Sequence, residues 1–149
     1  MKKLEQNKKN NKGFSLVELI VVIAIMIVLV AVLAPVFTKY VEQSRRATDV
    51  QNANTIASAI LVAVTDGKTA SPTVAAVPEN TFDSLKSVPN VKGKVGDNAN
   101  AAFYYKYDAD NNTVAVYVGN DENKEWSGDL TNETNAQAYK NSDKKEIGK

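Results

Sequence analysis

Hydrophobic positions are distributed unevenly along this chain, and their pattern predicts its elements. All 16 residues from 19 to 34 are apolar. With Leu16, Val17, Pro35, Val36 and Phe37 the run reaches the roughly 20 residues that a helix needs to cross a bilayer. Past this run the pattern becomes periodic. Val50, Ala53, Ile56, Ala57, Ile60, Leu61 and Val64 recur at helical spacing, while Glu42, Arg45, Arg46, Asp49, Gln51 and Asn52 fill other faces. Between Phe14 and Asp66 there is no glycine and one proline, so both stretches are predicted to form a single helix of about 80 Å. Asp66-Gly67 then offers a glycine where helices end in a left-handed cap. The first half of this helix suits lipid, and the second suits a sheet or helix packed along it.

After Gly67 the apolar runs are short, and Pro72, Pro78 and Pro89 mark a connecting loop. A brief helix is expected at 81–87, capped by Asn80 or Thr81, with Phe82 and Leu85 facing inward. Two strands are predicted at 102–107 and 113–118, both rich in aromatic and β-branched residues, with turn material at 108–112 between them. In the second strand Val114, Val116 and Val118 share one face. A lone hairpin is only marginally stable, so a third strand is expected near 123–127. Beyond Gly119 the sequence is polar, with Trp126 and Leu130 as its apolar anchors before Tyr139 and Ile147, and the last ten or so residues are expected to be mobile. The fold class is therefore α+β: a long N-terminal helix packed against a small antiparallel sheet.

Charge changes the picture at the N-terminus. Residues 1–13 carry five lysines against one glutamate, or +4, while the remainder holds 13 basic and 16 acidic residues, or −3. A basic block ahead of an apolar span stays in the cytoplasm, which directs the C-terminal portion outward. Cysteine is absent, so no disulfide braces that portion, and the absence of histidine removes the commonest general base and metal ligand.

The junction between leader and span carries the function. Residues 12–37 read KGFSLVELIVVIAIMIVLVAVLAPVF, and this segment resembles the N-terminus of type IV pilins. In that family a prepilin peptidase cuts after the last glycine of the leader, methylates the new N-terminal amine, and leaves a glutamate as the fifth mature residue. The resemblance places cleavage between Gly13 and Phe14, N-methylation on Phe14, and the glutamate at Glu18. It implies a type IV pilin-like fold divided into a leader (1–13), a transmembrane and filament-core half-helix (14–37), an amphipathic half-helix (38–66) and a globular head with an αβ-loop and hairpin (67–149).

Physical chemistry bears on the same residues. A carboxylate at the edge of an apolar span is costly, up to ~3 kcal/mol at a helix centre and less near an interface, and normally needs a partner. The amine freed at Phe14 would supply one, and the resemblance implies that Glu18 of one subunit meets Phe14 of another and sets their register. Read alone, Glu18 is an ordinary helix N-terminal acid favoured by the macrodipole. The Gly13-Phe14 junction and the basic leader favour the assembly role. Pro35 either marks the membrane exit or, as the resemblance implies, unwinds in the assembled filament. Val32 and Ala34 imitate a secretory cleavage site, but Pro35 would then be the first mature residue, which is unfavourable.

Other candidates are weaker. Residues 108–112 have the alternating oxygens of a calcium loop, yet the glycine and the bidentate acid that such loops require are replaced by Thr113 and Gly119, so a hairpin turn is the better reading. Asp121, Glu122 and Glu125 keep a pseudopilin-like calcium site open. Arg45 and Arg46 read as a solvated face or as ion-pair partners of Glu42 and Asp49. Tyr104, Tyr105 and Tyr107 read as packing or subunit-contact residues. No catalytic constellation, cofactor site or nucleic-acid site is expected.

The resemblance implies a pilus subunit for adhesion, motility or aggregation, first a single-pass protein of the inner (cytoplasmic) membrane and then part of an extracellular filament. Its partners would be the prepilin peptidase, membrane lipid, the membrane assembly platform and copies of itself. A pseudopilin or competence pilin of a secretion or DNA-uptake system shares this N-terminal logic. A single-span anchored adhesin or receptor is the alternative of another class, which an N-terminus at Phe14 would exclude.

Overall fold

The computed structural model describes residues 13–80, 82–94, 101–121 and 123–142. Its elements are α1 (Leu16–Thr65), β1 (Ala75–Ala76), β2 (Ala102–Asp108), β3 (Thr113–Gly119) and α2 (Glu133–Asn141). This is the α+β arrangement of one long N-terminal helix and a small three-stranded antiparallel sheet. The chain divides into two compact units, residues 1–37 and 38–149, and α1 contributes to both.

The first unit consists, in its described part, of the start of α1. Every residue from 13 to 37 is exposed, including the whole apolar run. The helix is long and apolar enough to cross a membrane by length and composition.

In the second unit α1 ends where the glycine permits. Gly67 takes a φ of +84°, a left-handed backbone that glycine adopts without steric cost. Lys68 N then donates to Ala63 O at 2.9 Å and Gly67 N to Val64 O at 3.0 Å, the paired bonds of a Schellman cap. Along this part of the helix Ala53, Ile56, Ala57, Ala59, Ile60 and Ala63 are buried, with Val50, Leu61 and Val64 packed at the margin of the same core. Phe82, Phe103, Tyr105, Val114, Val116, Val118, Leu130 and Tyr139 complete it.

The sheet has the order β1-β2-β3. β2 and β3 pair from Ala102↔Gly119 to Asp108↔Thr113, which puts Val114, Val116 and Val118 inward as the alternation predicts. The 108–112 segment is a hairpin turn: Asp108 Oδ1 accepts from Asp110 N and Asn111 N at 3.0 and 3.2 Å, and Asn112 has a φ of +50°.

Two expectations are corrected. Residues 123–127 form no strand, and the third strand is β1, paired through Ala75↔Tyr105 and Ala76↔Tyr104. The free edge of β3 is instead closed largely by side chains. Ser127 Oγ accepts from Val118 N at 2.8 Å and Asp129 Oδ1 from Val116 N at 3.1 Å, with backbone bonds from Ser127 N to Val118 O and from Leu130 N to Val116 O. Gly128, at φ +68°, breaks the extended run that a strand would need. Residues 82–87 are a turn and not a helix, closed by Leu85 N to Phe82 O at 2.8 Å, although Phe82 and Leu85 are buried as expected. The proposed cap Thr81 lies outside the described residues, as do Ile147 and most of the C-terminal stretch expected to be mobile.

Candidate processing and assembly site

Gly13, Phe14 and Ser15 precede α1 and are not helical. The first amides of a helix have no carbonyl one turn back and must find other acceptors. Here Ser15 Oγ accepts from Val17 N at 3.3 Å, and the Glu18 carboxylate reaches back to accept from Ser15 N at 2.8 Å. Ser15 O takes Leu19 N at 3.2 Å, the first bond of the helix. Ser15 thus caps the amide of the second helical residue while Glu18, the third, caps the amide of Ser15, a variant of the capping box that fixes the start of α1 just past the Gly13-Phe14 junction. The sequence reading recognised Glu18 as a helix N-terminal acid but missed Ser15, although the Ser-x-x-Glu spacing of Ser15-Leu16-Val17-Glu18 is the signal for it.

Two further features define this end. Phe14 is 94% exposed. A β-carbon built on Gly13 would meet nothing within 4 Å among the described residues, so packing among them does not require a glycine there. Glu18 is exposed and uses Oε2 for Ser15, while Oε1 has no hydrogen-bond partner among the described residues.

Pro35 stands apart from this cluster. It lies within α1, which continues through it, and it has no N–H to offer the carbonyl of Ala31 one turn earlier. The 17 residue steps from Glu18 to Pro35 correspond to about 25 Å of helix rise. Gly13, Phe14 and Glu18 are thus gathered at one end, and Pro35 is not.

Among the other candidates, Tyr105 packs edge-on against Phe82 with centroids 6.2 Å apart, and its hydroxyl accepts from Ser71 N. Tyr107 donates to Asn112 Oδ1, and Tyr104 to Asp121 Oδ1 at 3.1 Å. Burial, with Asp121 as bond partner and charge, raises the Tyr104 hydroxyl above its ordinary pKa of 10.0. The Asp108 carboxyl is held below its usual range by the side chain and amide of Asn111. No group of three or more acids gathers among the described residues, and Glu122 lies outside them. Arg45 is half exposed beside Glu42 at 3.9 Å. Arg46 is not on a solvated face, being 4% exposed, but it does pair with Glu42 at 3.1 Å as the other reading expects, and it also donates to the carbonyls of Tyr139 and Lys94.

A family model matches the segment that contains Gly13, Phe14 and Glu18. Residues 8–34 match the prokaryotic N-terminal methylation motif, which indicates a precursor of the type IV pilin and pseudopilin class, a family of structural subunits. The match supports a type IV pilin-like prepilin, and the long helix with its small antiparallel sheet is the matching fold. Motif and apolar helix together fit a membrane-anchored precursor, and the motif implies processing by a prepilin peptidase and assembly into a filament. No curated protein and no solved structure matches the chain.

Proposed function

We propose that this chain is the precursor of a type IV pilus subunit. The leader, residues 1–13, holds the cytoplasmic end by its charge, and the peptidase cuts the Gly13–Phe14 bond and methylates the amine of Phe14. Cleaved copies wait in the membrane, and the assembly platform transfers their apolar half-helices into the core of a helical homopolymer on the cell surface, for adhesion, motility or aggregation. Repeating head-to-tail contacts of this kind build an open filament and not a closed ring.

One observation carries this reading: an exposed carboxylate, Glu18, sits one turn past a non-helical glycine junction, at the head of a helix whose apolar residues from 16 to 37 are all exposed. Lipid is as apolar as a helical bundle, so the transfer gains little hydrophobic energy and specificity has to come from packing and polar pairing. Glu18 has two oxygens for this. Oε2 caps its own helix, and Oε1 receives the methylated amine of Phe14 from a neighbouring copy. In a low-dielectric core that pair is strong, and a lost partner is costly. Pro35, which supplies no N–H to the carbonyl one turn back, is where the helix unwinds as subunits pack.

The test is Glu18→Ala in cells supplying no other copy of the subunit. Removing one partner of a buried ion pair costs about 3–5 kcal/mol. Cleaved protein is therefore expected to accumulate in the membrane while sheared filament falls by more than about tenfold. Ordered filaments in wild-type amount would contradict the proposal.

A further inference from the structure

The sequence contains no cysteine, so no disulfide can fasten the C-terminal part of the head to α1. The structure shows a buried polar joint at that place. Glu42, Arg46 and Asp49 lie at spacings of four and three, on one face of α1. They continue toward the N-terminus the stripe that Ala53, Ile56 and Ile60 form in the core. Against them runs a strap, residues 92–94, whose backbone bonds among the described residues all go to these three side chains. Asp49 Oδ1 accepts from Lys92 N and Oδ2 from Gly93 N, each at 2.7 Å. Glu42 Oε1 accepts from Lys94 N at 2.6 Å, and Arg46 Nη2 donates to Lys94 O at 3.1 Å.

α2 is fastened to the same side chains. The Tyr139 hydroxyl donates to Asp49 Oδ2 at 2.9 Å, and Arg46 Nη1 donates to Tyr139 O at 3.0 Å. The Arg46 guanidinium lies 5.1 Å from the centre of the Tyr139 ring, which packs edge-on against Trp126. Asp49 and Tyr139 are both fully buried, and the Arg46 Nε to Glu42 bond at 3.1 Å ties the two acids into one network. Gly93 leaves no room beneath it: a β-carbon there would meet Arg46, Tyr139 and Asp49 at 2.7 to 2.9 Å.

We propose that Asp49 is the keystone of a non-covalent lock that closes the head, in which the 92–94 strap and α2 are held on α1 as one cooperative unit. Neither segment is fixed independently, because both share Asp49 Oδ2 and the Arg46 guanidinium. Loss of either contact therefore loosens the segment that the lost contact does not touch. A set of separate local bonds would not do this.

Tyr139→Phe is the discriminating variant, since it removes one hydroxyl and keeps the ring against Trp126 and Arg46. In the full-length protein in detergent, amide hydrogen exchange is followed at Lys92 and Gly93, to which Tyr139 makes no bond. The lock requires exchange there to quicken roughly tenfold, about the effect of one buried hydrogen bond. Asp49→Asn withdraws an acceptor shared by both segments, so exchange is expected to quicken at Lys92, Gly93 and the amides of 136–141 together. Faster exchange confined to α2 in Tyr139→Phe would overturn the proposal, whether or not Asp49→Asn folds.

Discussion

Single residues separate the glycines that the fold needs from the one it does not. Gly93 sits against three side chains of the buried joint, and Gly13 against nothing among the described residues. Gly93→Ala is expected to destabilise the head by about 1–3 kcal/mol, the usual cost of forcing a methyl into packed surroundings, read by thermal unfolding of the full chain. Asp49 has its own pH signature. Burial outweighs its bonds from Lys92, Gly93 and Tyr139, and with the nearby Glu42 charge it sets the carboxyl above its ordinary 3.8. The folded state thus binds a proton more readily than the unfolded chain, so the contribution of this group is full below the unfolded value and declines as pH rises through the folded one. Tyr139 remains neutral across this window, since it is itself raised by burial and by Asp49. Denaturant unfolding should therefore show the wild type gaining stability relative to Asp49→Asn on going from neutral pH to about pH 4. A constant difference would contradict that assignment.

Elements show how much was legible in the sequence and how much was not. The long helix and the β2–β3 hairpin follow from periodicity, because unbroken apolar and period-two patterns have no competing reading at those lengths. β1 was not legible: Ala75 and Ala76 carry no strand preference and pair only because β2 offers an edge. α2 was missed although it has a signal, since Asn132 caps it by accepting from Thr134 N and Asn135 N. Its short, polar sequence gave no apolar stripe to notice. The buried use of Glu42, Arg46 and Asp49 could not be read locally, because the partner Tyr139 lies 90 residues from Asp49. Segment 127–130 illustrates the same point. Its place beside β3 depends on Ser127 Oγ, which accepts from Val118 N and donates to Gly128 O at 2.7 Å. Ser127→Ala would leave a buried amide unsatisfied and is expected to cost about 1–3 kcal/mol in denaturant unfolding, with faster exchange at Val118.

The whole molecule joins two units of opposite character. One has a closed core and a satisfied sheet edge, while the described part of the other exposes every apolar side chain it has and ends in a capped, charged, non-helical junction. A surface of that kind is stable only in lipid or packed in an assembly, and under the proposed function cleavage at Gly13-Phe14 decides which. The chemistry proposed for Gly13, Phe14 and Glu18 rests on six consecutive positions, so it can be read without the tertiary fold. The direct measurement is intact-mass and fragment-ion spectrometry of filaments sheared from cells. The account predicts subunits that begin at Phe14 and carry one methyl group on its amine. Subunits that retain Gly13, or that begin beyond Ala34, would contradict it.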